Sequence, residues 1–518
     1  MNELTETPQA ASFHSRAASL LAKKEGGAFL SKGLILKILF VSAEVSPFAK
    51  VGGLADVAGS LPKAIHQLGH DIRIAMPLYA MIEEDPRWEL ETVAEKVPIQ
   101  LNGHWLELAT IKKTCIDGVT VYFVGHKTFF KGATSSDTVY TPGIEQYLFF
   151  SAALLELPAL AGWSPQVVHC NDWHTGFVPV LMRERGASQF DEVASIYTIH
   201  NLAYQGEFGV EILDALAIPR SRFVPDYLET WGTVNFLKSG CAYSDQVTTV
   251  SPTYAKEIQT PEFGCRLEGL MAHLASEKCL TGILNGIDTA FFDPKTDRYL
   301  SQTYSPDNLA GKAVCREALF REIGMKPIAG APLAGAVTRL SSQKGLQLLI
   351  DAAPRLFVMP VQLVVQGLGD PAVAAELRRL ERQFPDHIRF IERFDPDLAQ
   401  RIYAGSDLFT MPSLFEPCGL GQMIAMRYGT IPIVRVTGGL SDTVFEGRNG
   451  YVFRDKAADD LVAAFGRAKK AFRNKKAWSS LVGRAIAEDF GWSASAREYV
   501  SVYRKALGLP DSLELKLA

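Results

Sequence analysis

Arg339 and Lys344 place two cations five residues apart in the polar run Thr338–Gly345. The run lies between an apolar, strand-like segment, Leu333–Val337, and a helical stripe of Leu346, Leu349, Ile350 and Ala353. Arginine offers a planar fork to phosphate oxygens and lysine a point charge, and the helix start behind them adds free N–H groups. A diphosphate suits that combination; two solvated loop cations are the other reading of the same spacing. Further on, Phe415–Gly421 follows the strand-like Leu408–Met411 and opens a helix over Gln422–Tyr428. Its glycines, Gly419 and Gly421, allow close approach, and the amides of Cys418, Gly419 and Leu420 can converge on an anion. Glu416, just ahead, is placed to hold sugar hydroxyls or to act as base or nucleophile. No histidine lies near Cys418 in sequence, so it reads as a small packing residue. Thr437-Gly438-Gly439-Leu440-Ser441-Asp442 is a second glycine-pair turn before a helix.

The first such turn comes in the opening part of the chain, at Gly52-Gly53. Ile38–Ala43 reads as a buried parallel strand, Lys50-Val51-Gly52-Gly53 as a turn, and Val57, Leu61, Ile65 and Leu68 as a helix stripe. Pro62 implies that Ser60 caps this helix or that the helix kinks there. Lys50 adds full positive charge beside the glycine pair. His169, Asp172, His174 and His200 could be taken for a metal cluster, but their spacing fits no standard zinc pattern. Strand-end histidines hydrogen-bonded to loops are the expectation, with no metal.

What positions these residues is a repeated α/β pattern. Ile72–Ala75, Val119–Val124, Val167–Cys170, Ala194–Ile199 and Gln246–Val250 are strand-like, each with polar residues at its carboxyl end. A turn-rich stretch, Leu284–Asp288 and on to Asn308, reads as a linker. The pattern then restarts with Leu333–Val337, Val361–Val365, Ile388–Ile391, Leu408–Met411 and Ile431–Val434. The expected architecture is α/β, two Rossmann-like domains facing a deep cleft, over 36–285 and 286–490. Residues 1–35 read as a flexible extension without signal- or transit-peptide character, and 491–518 as a final helix and tail. At 518 residues the chain is too long for one core, and 47% hydrophobic with 21% charged residues describes an ordinary globular protein. A net charge of −4 gives no reason for a nucleic-acid or membrane partner, and no apolar run is long enough to span a bilayer. Seven cysteines without a C-x-x-C pair suit the reducing cytoplasm.

Seven motifs occur in order: Lys50–Leu54, His169–His174, Thr198–Gly206, Val250–Tyr254, Leu284–Asp288, Arg339–Gly345 and Glu416–Leu420. On these the chain resembles the bacterial glycogen synthases and plant starch synthases, ADP-glucose-dependent retaining glucosyltransferases of the GT-B fold. The resemblance runs from Leu36 to about Lys505, with Leu414 and Gly421 standing where the family usually has Arg and Thr. It implies transfer of glucose from ADP-glucose to the non-reducing end of an α-1,4-glucan, with no cofactor or metal. By the same resemblance Lys50, Gly52 and Gly53 face the donor's phosphates, while Arg339 and Lys344 hold the diphosphate. His200 and Glu416 grip the glucose. Cys418, Gly419, Leu420, Thr437 and Gly438 supply donor contacts. Asp56, Asp172 and Asn201 lie on the acceptor side. Retention is expected by front-side displacement, with double displacement through Glu416 competing. A UDP-glucose-using relative and a silent glucan-binding protein are the alternatives. A dinucleotide oxidoreductase is disfavoured because neither glycine pair fits G-x-G-x-x-G.

Overall fold

The computed structural model describes residues 34–140 and 143–510. Most of the expected N-terminal extension, residues 1–33, and the tail 511–518 lie outside the described residues. The chain divides into two compact units. Unit 1 comprises residues up to Ile199, Tyr204–Val247 and Ala496 onward; unit 2 comprises His200–Ala203 and Thr248–Ser495.

A nine-stranded sheet has the order β12-β11-β7-β6-β1-β2-β5-β4-β3. Its strands are β1 (Lys37–Val41), β2 (Asp71–Pro77), β3 (Glu91–Gln100), β4 (Leu106–Ile116), β5 (Val119–His126), β6 (Val167–Asn171), β7 (Ala194–Ile199), β11 (Gln246–Thr249) and β12 (Leu280–Gly282). The division between the units passes through β11. β1 pairs in parallel with both β2 and β6, and its KILFV sequence is buried from Ile38 on, as a strand covered on both faces must be. The hairpin of β3 and β4 was not expected. It adds antiparallel to β5, and register shifts between Thr92 and Val97, with Lys96 at φ +53°, blur its alternation. β8 (Glu207–Phe208), β9 (Glu229–Thr230) and β10 (Thr233–Asn235) form a separate small antiparallel sheet in the order β8-β10-β9.

The helix after the first glycine turn starts at Gly53 and runs unbroken to Gln67 with Pro62 inside it. Ser60 is therefore not its cap: buried Leu54, Ala55, Val57 and Ala58 extend the apolar face a full turn further back than the sequence reading placed it.

In unit 2 six parallel strands follow the order β15-β14-β13-β16-β17-β18. They are β13 (Leu333–Val337), β14 (Gln362–Gln366), β15 (Ile388–Ile391), β16 (Leu408–Met411), β17 (Ile431–Arg435) and β18 (Tyr451–Phe453). Numbered within the unit this is 3-2-1-4-5-6, the doubly wound order whose direction reverses between the first and fourth strands. Apolar residues from the strands (Leu363, Val365, Ile433) and from helices (Leu349, Leu356, Phe465) form its core. Unit 1 repeats the order with β5-β2-β1-β6-β7-β11. The stretch read as a linker is fastened to unit 2: Arg427 bonds Asp293, Tyr304 donates to the Tyr428 carbonyl, and Ile287 donates to Phe490. The compact units accordingly part near Val247 rather than at Asn285. Among the described residues no helix is long and apolar enough to cross a membrane.

Candidate active site

In unit 2 the strand order itself selects the site. The reversal lies between β13 and β16, so the loops leaving those two strands, Thr338–Gly345 and Pro412–Leu420, meet at their carboxyl ends. Lys344 Nζ lies 2.7 Å and 3.0 Å from the two carboxylate oxygens of the buried Glu416, and Ser413 Oγ donates to Glu416 at 2.9 Å. The loops are locked by backbone contacts as well, with Leu414 N donating to Gln343 O at 2.8 Å. Gly345 sits at φ +61°, and a Cβ there would run into the Pro412 carbonyl, so the loop crossing requires glycine. Arg435 ties down the second loop by donating to the Ser413 carbonyl at 2.7 Å and to that of Leu414.

An ammonium has three N–H donors. Two distances to Glu416 leave Lys344 at least one donor for another acceptor. Arg339 is exposed and makes no ion pair among the described residues. The amides of Cys418, Gly419 and Leu420 have no acceptor among the described residues. Ser341 Oγ, Gln422 Oε1 and Ser441 Oγ, in or beside these two loops and a third, Thr437–Asp442, are buried atoms without partners among the described residues. Buried polar atoms are rarely left so: the two serine hydroxyls can donate to an anionic guest, and the Gln422 amide oxygen can accept from a hydroxyl. Cys418 is buried and desolvation pushes its thiol up to about 12, which leaves it no thiolate for nucleophilic attack.

The third loop is occupied differently. Gly438 N and Thr437 Oγ1 donate to Glu257 Oε1 at 2.9 and 3.1 Å, and burial raises the Glu257 carboxyl above its ordinary range. Thr253 fixes Asp442 through its amide at 2.9 Å and its hydroxyl at 2.7 Å. His200 and Asn201 also belong to unit 2. Burial lowers His200 to about 3, so its imidazole is neutral at pH 7, and Asn201 Oδ1 accepts from Ala203 N at 3.1 Å.

The reversal in unit 1 lies between β1 and β6 and brings up Glu44, Lys50 and Asp172. Lys50 Nζ pairs with Asp56 at 2.6 Å. The carboxylate of Glu44, itself buried, accepts from Val51 N at 2.6 Å, from Gly52 N at 2.8 Å and from the Tyr140 hydroxyl. Tyr140 stacks on His174 with centroids 4.5 Å apart, and burial lowers His174 to about 3. Asp172 holds φ +56°, a strained conformation for a non-glycine residue at a strand end. His169 bonds Thr198 at 2.6 Å and Tyr503 at 2.8 Å. Among the described residues no three His, Cys, Asp or Glu groups could hold a metal ion.

Lys344 and Glu416, predicted separately, are thus brought into contact, whereas the Gly52 and Gly438 amides are engaged by carboxylates. Glu44, Tyr140, Glu257 and Ser413 escaped the sequence reading. A carboxyl at a strand end leaves no periodic signal, although Glu44 stands six residues before Lys50.

Residues 37–273 match the family described as starch synthase catalytic domain, and residues 326–478 match glycosyl transferases group 1. With two doubly wound units carrying a cationic, amide-lined loop, these matches define a glycosyltransferase of the GT-B fold. The chain is 44% identical over 493 residues to the glycogen synthase of Desulforudis audaxviator (strain MP104C), across 91% of this chain and 97% of that one. It is 43% identical over 486 residues to that of Moorella thermoacetica (strain ATCC 39073 / JCM 9320), across 91% and 97%. The catalytic domain of starch synthase IV from Arabidopsis thaliana, bound to ADP and acarbose, matches with a TM-score of 0.85 at 34% identity, over 92% of this chain and 100% of that one. The chain belongs to the family of glycogen and starch synthases.

Proposed function

We propose that this glycosyltransferase moves glucose from ADP-glucose to the non-reducing end of an α-1,4-glucan, retaining configuration and using no metal or cofactor. The observation that carries the reading is Lys344, with a donor to spare, in the same strand-end site as the unfilled amides of Cys418, Gly419 and Leu420. Charge on the departing diphosphate is met there by ammonium, guanidinium and backbone dipoles, fixed before the reaction starts. The ADP and acarbose of the Arabidopsis relative support a nucleotide donor and a glucan acceptor. Seven free cysteines fit a cytoplasmic setting.

Glu416 favours the front-side route. Its carboxylate is held by Lys344 and Ser413, which lowers its power as a nucleophile and suits it to orienting the lysine and a sugar hydroxyl. The anomeric C–O bond to phosphate breaks as the acceptor's 4-oxygen bonds the same face, and the acceptor's proton passes to the departing phosphate oxygen.

Initial rates with glycogen and either ADP-glucose or UDP-glucose test the donor. ADP-glucose should give the higher kcat/KM, with turnover unchanged in excess EDTA; preference for UDP-glucose, or activity lost to EDTA and restored by a divalent ion, overturns the corresponding part.

A further inference from the structure

The loop of the β9–β10 hairpin is two residues long, Trp231 and Gly232, between the paired Thr230 and Thr233. Both loop residues have positive φ, +52° and +83°. Such a turn favours Asn-Gly; a bulky side chain in the first position is strained. Burial does not compensate, because Trp231 is 74% exposed and its ring meets no other aromatic ring or cation among the described residues. Neither turn chemistry nor packing explains the tryptophan, and strain kept without a structural return marks a functional position.

The surroundings indicate what it holds. Glu229 accepts from Gly232 N at 2.6 Å, and Thr233 Oγ1 donates to Thr230 O at 2.7 Å and to Glu207 at 3.4 Å, so the hairpin positions next to Trp231 carry oxygens able to bond hydroxyls. The small sheet is seated on Trp173: the Phe208 ring of β8 lies 5.9 Å from it, and Gly206 has no room for a Cβ against it. Trp173 directly follows Asp172, which the resemblance to glycogen and starch synthases puts on the acceptor side. The sheet is thus packed on the residue next to Asp172, and its hairpin presents the exposed ring of Trp231. We propose that Trp231 is a stacking platform for a glucose unit of the α-1,4-glucan, remote from its reacting end. This rests on the glucan acceptor proposed above and adds a subsite to it.

The test compares W231A, W231N and W231F with the parent, by initial rates on glycogen, migration in native gels cast with glycogen, and Tm. W231N supplies the residue the turn favours, so its Tm should be no lower than the parent's. In W231A and W231N the KM for glycogen should rise about three- to tenfold and retardation by glycogen should be lost, while W231F stays within about twofold. The kcat and the KM for ADP-glucose should not move. Unchanged KM for glycogen in W231N overturns the proposal. So does a joint fall of Tm and kcat, which makes the residue structural, or a changed sedimentation coefficient with KM intact, which makes it a contact between copies. If the parent is retarded by glycogen and W231N is not, yet ADP-glucose is no donor, the platform stands and the donor reading alone fails.

Discussion

The turns at Gly52-Gly53 and Gly438-Gly439 look alike in sequence and are glycine-rich for different reasons. At Gly438 φ is +42° and a Cβ would strike the Glu416 carbonyl; at Gly439 it would press on Cys418. The fold itself needs those glycines, to let the third loop pass behind the second. Gly52 has φ −144° and ψ −163°, and no atom lies within 4 Å of where its Cβ would stand. Nothing in the fold requires glycine there. Yet both turns give their amides to a carboxylate, Glu44 in one and Glu257 in the other. A glycine that packing explains says little about ligands. One that packing does not explain marks a surface that something else must approach closely.

The largest effect expected on this contrast is at Lys344. Its loop offers unfilled donors, so Lys344→Ala should lower kcat by about 10²–10³, the ~3–4 kcal/mol of one desolvated contact to a leaving group. Lys50→Ala, at an exposed lysine already paired with Asp56, should raise donor KM by about tenfold or less and leave kcat nearly intact. Steady-state kinetics separates them, and an effect of Lys344→Ala confined to KM would remove the leaving-group role.

The glycines come next. Gly438→Ala should cost about 2–3 kcal/mol of stability, from a disfavoured backbone and a collision. Gly52→Ala should leave Tm unchanged and weaken the donor. Equal Tm losses in the two variants would break the comparison.

The carboxylates give the smallest effects. Glu44 accepts from three donors, so Glu44→Ala leaves the Val51 and Gly52 amides and the Tyr140 hydroxyl without that acceptor and should cost about 1–3 kcal/mol. Glu257→Gln keeps an acceptor for Gly438 and an NH2 for Thr437. Because burial raises the Glu257 carboxyl, its contribution to stability is present below the unfolded pKa and lost as pH rises through the folded one. Glu257→Gln should then match or exceed the parent's Tm at pH 7, and lose that advantage as pH falls toward 4. A melting series across that range decides it.

Eleven of the strands were legible because parallel strands buried on both faces are unbroken apolar runs, as in Ala194–Ile199 and Leu333–Val337. Arg339, Lys344, Glu416 and Gly419 stood out because strand ends bind ligands. The β3–β4 hairpin did not: it lies at a sheet edge, half exposed, with its alternation shifted by irregular register. The helix start before Pro62 was obscured by the proline itself. Glu44 and Glu257 were hidden for another reason. Each acts on a turn through space, Glu257 from 181 residues away, and spacing along the chain carries no trace of such a pairing.

The bond from His169 to Tyr503 joins residues 334 positions apart. His169 lies on a central strand, while Tyr503 is fully buried on the final helix, Trp492–Ala506. A ribosome releases these partners in sequence, at about 5–20 residues per second. For the tens of seconds between them the first unit's core stands open on one side, its strands made and its closing aromatic face not yet synthesised. The half of the molecule that is born first is thus the half that finishes folding last.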